Sequence, residues 1–491
     1  MVNKISIILF LFASLFSAKA QVNDTIYLSL DKAIERGRTK SVAAESAINT
    51  LRSYYWEYRS YKASLLPEMN FEATLPSYSK SYGAYQLDDG SYTFVRNNHL
   101  DMSGSLSIDQ NIWLTGGTLS IISSLDFYRQ FGHNTGNNFK SIPVAITLSQ
   151  PIFGVNTVKW DRKIEPLRYE EAKADYIESS EKVALTAITY YFNLLSDKES
   201  VSIAKQNLEN AKHLYNVALA KRNMGQISKN DVLQLKLNVL DAQSELTDAV
   251  STMKSDMFRL RTFLDYGENV VIEPIIPEKF ANVSLNYDDV LQKALEHNSF
   301  SKNIRRRQLE ADYDVAKAKG DLRQITLYAQ VGFTGTSNEF NDAYNHLKDN
   351  QIVEVGVKVP LIDWGKRRGK VKVAQSNRNL IQSQLRQEAI EFNQDIFILV
   401  ERFNNQQSQV EIAMTSDTIA RKRYETNVET FLRGKISTLD LNDSRVTKDK
   451  SRLEYISNLY KYWYYYYQIR SLSLWDYIQN KPLEVDFEEI I

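Results

Sequence analysis

The stretch Gly225-Gln226-Ile227-Ser228-Lys229-Asn230-Asp231 returns 209 residues later as Gly434-Lys435-Ile436-Ser437-Thr438-Leu439-Asp440. In each copy a glycine interrupts a long polar, Ala/Leu-rich helical pattern, and Ser and Asp follow at the spacing S-x-x-D. Glycine can take the left-handed backbone that closes a helix. S-x-x-D is the capping box that starts one. Each copy therefore predicts a tight helical hairpin, with one helix ending at the glycine and the next beginning at the serine.

Working outward, residues 158–224 and 367–433 each read as near-unbroken helix, roughly 100 Å long at ~1.5 Å per residue, with Pro166 a kink near the start of the first. Helices over 229–264 and 438–478 return from the tips. One offset relates the halves: Pro151 matches Pro360, Tyr215 matches Tyr424, and Arg261 matches Arg470. Tyr176, Ser180, Val183, Ala187, Tyr190 and Leu194 step as a heptad seam, and so do Leu385, Ala389, Phe392, Ile396, Leu399 and Phe403. A second stripe, Ile177, Ala184, Tyr191 and Leu195, runs beside the first. A helix with two adjacent seams packs a neighbour on each side, as a stave of a closed helical tube must.

Ahead of each long helix the hydrophobic period changes from 3.6 to 2. Residues 28–64 and 285–322 read as helix, with Ala33-Ile34 answering Ala294-Leu295. Ile325, Leu327, Ala329, Val331 and Phe333 then alternate with polar or small residues, as do Val353, Val355, Val357, Val359 and Leu361. Val144, Ile146 and Leu148 do the same in the first half. That pattern suits a transmembrane barrel strand and equally a half-buried strand of a soluble sheet. Alternation over 100–108 and 119–125, around the turn Thr115-Gly116-Gly117, predicts an extra hairpin that extends the barrel or folds on its rim. The chain thus divides into residues 1–20 (signal peptide), 21–272 (first repeat, strands within 69–152), 273–284 (linker), 285–480 (second repeat, strands within 324–362) and 481–491 (tail).

Lys4, the apolar run Ile5 to Phe16 and Ala18-Lys19-Ala20 read as a secretory signal with a mature start near Gln21. The run is too short for a membrane helix, and none follows it. A membrane crossing would have to use strands. The chain has no cysteine, which excludes disulfides, thiol catalysis, cysteine metal sites and a lipidated N-terminal cysteine. Sixty basic residues balance sixty acidic ones, so no field favours nucleic acid. His99, His133, His213, His297 and His346 show no metal-ligand spacing. No phosphate loop, nucleophile elbow or other catalytic constellation is present, which points away from an enzyme, a cofactor or a metal site.

Signal, helix, strands, long helix, tip and return helix, repeated in register, resemble the TolC-like outer-membrane efflux factors over nearly all of the mature chain. The junctions Ser149-Gln150-Pro151-Ile152-Phe153-Gly154 and Val359-Pro360-Leu361-Ile362-Asp363-Trp364-Gly365, with the two tips, carry the likeness. It implies an α+β membrane protein: a homotrimer whose transmembrane β-barrel sits in outer-membrane lipid and continues into a long periplasmic α-helical barrel. It implies passive export, by efflux or type I secretion, from a periplasmic adaptor and an inner-membrane RND or ABC pump. The competing reading is a secreted or periplasmic coiled-coil protein without a pore.

The resemblance also implies roles for residues. Asp440 and Asp443 would ring the tunnel mouth; the bland alternatives are a capping box for Asp440, as for Asp231, and a solvated face for Asp443. Ile436 and its mate Ile227 stand where the family has a basic latch, which leaves apolar packing with Phe431 and Met224 to close the mouth. Gly225, Gln226, Ile227, Ser228 and Gly434, Lys435, Ile436, Ser437 would be adaptor-docking ground. Trp160 and Trp364 would be membrane-edge aromatics or buried packing. The aromatic run from Tyr460 to Tyr467 predicts a packing stripe of Tyr460, Trp463 or Tyr464, and Tyr467.

Overall fold

The structure, a computed structural model, describes residues 24–131, 135–278, 283–322, 324–358, 362–433 and 435–490. The expected signal, His133, Val359, Pro360, Leu361 and Gly434 lie outside the described residues.

Strand β1 (Asp24–Leu28) precedes helices α1 (Leu30–Lys40) and α2 (Val42–Ser64). One helix over 28–64 is thus corrected to two helices, with Leu28 the last residue of the strand before them. Ser41 is extended, with ψ 148°, and its hydroxyl accepts from the Ala44 N–H at 3.1 Å, so it stops one helix and caps the next. Strands β2 (Glu68–Gln86), β3 (Tyr92–Ile112), β4 (Gly117–Gln130) and β5 (Gly136–Pro151) follow, then α3 (Thr157–Asn223) and α4 (Lys229–Phe263). Pro166 lies inside α3, which runs through it. Strand β6 (Val270–Pro274) pairs in parallel with β1, Ile26 opposite Ile272, so the segment read as linker begins as a strand.

The second half repeats the break. Helices α5 (Tyr287–His297) and α6 (Ser299–Gly320) divide at Asn298, which is extended and donates to the Leu472 carbonyl at 2.9 Å. Strand β7 (Gln324–Ser337), the one-turn helix α7 (Asp342–Asn345), β8 (Lys348–Lys358), α8 (Lys366–Leu432) and α9 (Thr438–Ser473) complete it. The last helix ends five residues short of the expected 478. Leu474 turns left-handed (φ 49°), and the Asp476 carboxylate takes the next free N–H groups, Ile478 at 2.9 Å and Gln479 at 3.0 Å. The tail is not bare: β10 (Lys481–Pro482) pairs with β9 (Trp475–Asp476), and helix α10 (Phe487–Ile490) follows.

The described residues form two compact units. Unit 1 comprises Met1–Leu51, Ala174–Asn298 and Glu391–Ile491. Its core gathers Ala33 and Ile34 of α1, Ala187, Tyr191 and Leu194 of α3, Leu260 of α4, and Phe403 of α8. Both α3 stripes contribute to this core, so they bury against partners within one chain. Of the aromatic run, Tyr462, Trp463, Tyr466 and Tyr467 are buried and Tyr460 is only half-buried. The expected stripe thus packs on the core, with Tyr460 at its edge, and it is widened by Tyr462, which stacks on Phe403 at 5.3 Å, and Tyr466. Beside this core Glu181 meets both Arg38 and Arg470; Arg470 also donates to Asp476 at 2.9 Å, as does the Tyr466 hydroxyl.

Unit 2 comprises Arg52–Lys173 and Ser299–Ile390. It holds one antiparallel six-stranded sheet in the order β2-β3-β4-β5-β7-β8, and the extra hairpin is β3–β4, inside that sheet. Register puts Phe71 opposite Leu106, Ile108 opposite Ile121, Ile121 opposite Ile146, Ile146 opposite Val331, and Ala329 opposite Val353. One face is thus apolar across all six strands. The other presents Asp109, Ser120, Thr147, Gln330 and Glu354 at neighbouring positions. An extra β2 residue between Thr74 and Ser77 bulges out. It shifts the apolar positions from Met69, Phe71 and Leu75 to Tyr78 and Tyr82, so the face continues. In the helical part, Arg306 grips the buried Glu171 with two bonds, 2.6 and 3.0 Å.

Candidate functional site

Unit 1 carries both tips. At the first, Gly225 is left-handed (φ 71°); its N–H donates to the Arg222 carbonyl and the Gln226 N–H to the Lys221 carbonyl, each at 2.9 Å. That pair of bonds is the Schellman closure glycine permits. At the second, the Lys435 N–H donates to the Thr430 carbonyl at 3.1 Å, the same bond at the same offset. Ser228 and Ser437 complete capping boxes with Asp231 and Asp440, the Asp440 N–H reaching the Ser437 hydroxyl at 3.2 Å.

The capping box has an electrostatic consequence. The Ser437 hydroxyl, then its backbone N–H, donate to the Asp440 carboxylate at 2.6 and 3.1 Å and hold its pKa below the usual value. Within one chain the direction is opposite to the upward shift that crowded like charges give, because the bonds favour the ionised form. Asp443 is neither a cap nor a bare surface charge. Arg423, on α8, donates to it across the hairpin at 2.8 Å. Asp443 thus has a basic partner on the other helix of its own hairpin, eleven residues before Gly434. At the matching places of the first hairpin stand Leu214 and Gln234, which form no such pair. Ile227 and Ile436 are half-buried, whereas Met224 is exposed, so within one chain Met224 gives no apolar closure.

In unit 2 the apolar face of the sheet is open. Phe71 is 73%, Val331 58% and Val353 75% exposed. A soluble sheet covers that face and turns the polar one to water; here six strands leave it bare, which is the arrangement of a strand in lipid. The two tryptophans divide. Trp160 is half-buried and packs on Tyr313 with centroids 5.9 Å apart. Trp364 is 95% exposed and left-handed (φ 53°), just before α8, where the Asp363 carboxylate accepts from the Gly365 and Arg367 N–H groups at 3.0 and 3.1 Å. No helix among the described residues is long and apolar enough to cross a membrane, and no acidic, His or Cys cluster there could hold a metal.

Residues 43–264 and 291–472 match the family described as outer membrane efflux protein. Among solved structures, the chain is similar to the CmeC outer membrane channel of Campylobacter jejuni. The identity there is 15%, the TM-score 0.65, and the match covers 94% of this chain and 88% of that one. It is also similar to VceC of Vibrio cholerae (12%, 0.62, covering 93% and 97%) and to the open state of the Neisseria gonorrhoeae MtrE channel (14%, 0.57, covering 90% and 88%). No curated protein matches its sequence. Channels of this family work in tripartite systems with a periplasmic adaptor and an inner-membrane pump, and the family consists of efflux channels rather than enzymes. The chain belongs to the outer membrane efflux protein family: it is an outer-membrane channel of a tripartite efflux system, reaching into the periplasm.

Proposed function

We propose that three copies of this chain close one barrel in the outer-membrane lipid and one helical tunnel below it, with the two tips of each copy at the tunnel mouth. The observation that carries this is the six-strand apolar face with its polar reverse. Strands β2 and β8 are the free edges, and an even number of antiparallel strands lets β8 of one copy pair antiparallel with β2 of the next. Three six-stranded sheets supply eighteen strands, enough for an aqueous lumen in place of a side-chain-filled core. Energy for transport comes from the RND or ABC pump; the chain itself supplies the duct, whether for efflux or for type I secretion.

Gly225 to Ser228 and Gly434 to Ser437 form the docking ground for the adaptor, and Asp440 and Asp443, with Asp231, Ile227 and Ile436, border the aperture. Trp364 sits at the membrane edge. Native mass spectrometry of detergent-purified protein, with planar-bilayer recording, tests the reading. A trimer that conducts is expected; a monomer, or a trimer that never conducts, overturns it. Gln226→Trp with Lys435→Trp, both exposed, should leave trimers and conductance intact while abolishing export in cells.

A further inference from the structure

Strands β2, β3 and β4 carry three Lys or Arg side chains and five carboxylates, and the sheet sorts them by face. Lys80 stands opposite Asn98, Arg96 opposite Tyr82, and Arg129 opposite Leu100. Alternation along each strand puts all three on the bare apolar face, in line with Tyr78, Tyr82 and Phe127. Glu68, Glu72, Asp101, Asp109 and Asp126 all fall on the reverse. Strands with water on both faces would give these charges no cause to separate.

The three cations also gather at one end of the sheet. Strand β2 leaves the helical end of unit 2 at Glu68, and Gln86 is its far end. Nine residues separate Phe71 from Lys80, roughly 30 Å of strand, or ~22 Å of height at a tilt of ~40–45°. The apolar band of an outer-membrane barrel is ~25 Å tall, so these cations stand at its outer boundary. Exposed Tyr78, Tyr82, Tyr92 and Phe94 surround them, as an aromatic girdle does at the level of the head groups. Beyond His99 strand β3 has no β4 partner, so residues 80–86 and 92–98 continue outward as a two-stranded ribbon.

Nothing on the chain neutralises the cluster. Arg129 lies over the Phe131 ring at 5.4 Å, and among the described residues none of the three cations has an ion-pair partner. The one carboxylate of β8 on the apolar face is Asp349, opposite Phe333. In a trimer that strand would sit beside β2, which leaves Arg96 and Arg129 on the inner strands unmatched. The cations span the four residues of β3 from Leu100 to Arg96, ~13 Å, which suits a head group with two phosphates.

We propose that Lys80, Arg96 and Arg129 bind the phosphate groups of a diphosphorylated glycolipid in the outer leaflet, with Tyr78, Tyr82 and Phe94 along the upper part of its acyl chains. Arginine and lysine donate charge-assisted bonds to phosphate, and a phosphorylated leaflet draws basic side chains to its surface. This assignment rests on the lipid-facing barrel.

The test is native mass spectrometry of the full-length protein in detergent, titrated with diphosphoryl lipid A, its monophosphoryl form and a phosphate-free glycolipid. Saturable binding that weakens with each phosphate removed is expected. Lys80→Gln with Arg96→Gln and Arg129→Gln should weaken diphosphoryl binding about tenfold or more, as loss of charge-assisted bonds does. Lys140→Gln, on the reverse face beside Asp126, should leave it unchanged. Equal binding of all three lipids, binding undiminished in the triple variant, or full displacement by equimolar inorganic phosphate overturns the proposal. Planar-bilayer recording separates the two readings. A conducting trimer that takes up no phosphorylated lipid sinks this inference alone, whereas a trimer that never conducts sinks the barrel.

Discussion

Arg423 reaches Asp443 across the second hairpin at 2.8 Å, and both side chains are exposed. An exposed pair contributes roughly 0.2–1 kcal/mol, so its worth to stability is small and its effect must be sought at the mouth. If it clasps the hairpin, Arg423→Gln and Asp443→Asn should each raise resting conductance in planar bilayers, and the double variant should add little. If Asp443 acts only as lumen charge, the two should change cation preference in opposite directions, which would refute the clasp. A second carboxyl is legible only in the fold. Burial of Asp197, then the Asp256 carboxylate beside it, push its pKa up to about 6. The folded chain therefore holds this proton more tightly than the unfolded chain, and stability falls as pH rises from about 4 towards 6. Asp197→Asn should flatten that part of a melting-temperature-against-pH curve and raise the melting temperature at pH 7.5; an unchanged curve would dismiss the Asp197–Asp256 coupling.

At the scale of elements, sequence period and capping residues announced most of what formed. The capping boxes at Ser228 and Ser437 and the alternation in β7 and β8 are local, and local propensity decided them. The helix breaks at Ser41 and Asn298 were missed because serine and asparagine are tolerated inside helices; what stops the chain at Asn298 is a bond to Leu472, far away in sequence. The sheet offers a sharp test, since Val331 and Gln330 are adjacent on β7 and face opposite ways. Val331→Arg should cost about 2–4 kcal/mol if that face meets lipid near the bilayer midplane, and Gln330→Arg far less. Urea unfolding in phospholipid vesicles reads the difference; equal costs would contradict a lipid-facing role. Deleting one bulge residue between Thr74 and Ser77 would turn Tyr78 and Tyr82 to the opposite face.

Across the whole molecule, the repeat is one plan used twice with different residues doing the work. Arg261 and Arg470 occupy the same place in the two halves. Arg261 donates to the Glu268 carbonyl near the end of its helix, whereas Arg470 is buried between Glu181 and Asp476. Removing one member of a buried ion network leaves its partners uncompensated, at a cost of about 3–5 kcal/mol. Glu181→Ala, which takes the shared carboxylate from Arg38 and leaves Arg470 with Asp476 alone, should therefore lower the melting temperature markedly, and Arg261→Ala should change it little. Similar losses in both variants would show that the two positions remain equivalent.

What the sequence determined by itself is whatever is periodic or local. That covers the two hairpin tips, the long helices between them, the alternating strands and the offset that makes two halves one design, because turn chemistry, capping and hydrophobic period act between near neighbours. Tertiary structure alone decided which stripes meet within one chain. It decided that the alternating strands join into one sheet with a bare apolar face, and that Asp443 pairs with Arg423. Each of these depends on the phase of one element against another, and phase is fixed by packing between residues distant in sequence rather than by any residue's own preference.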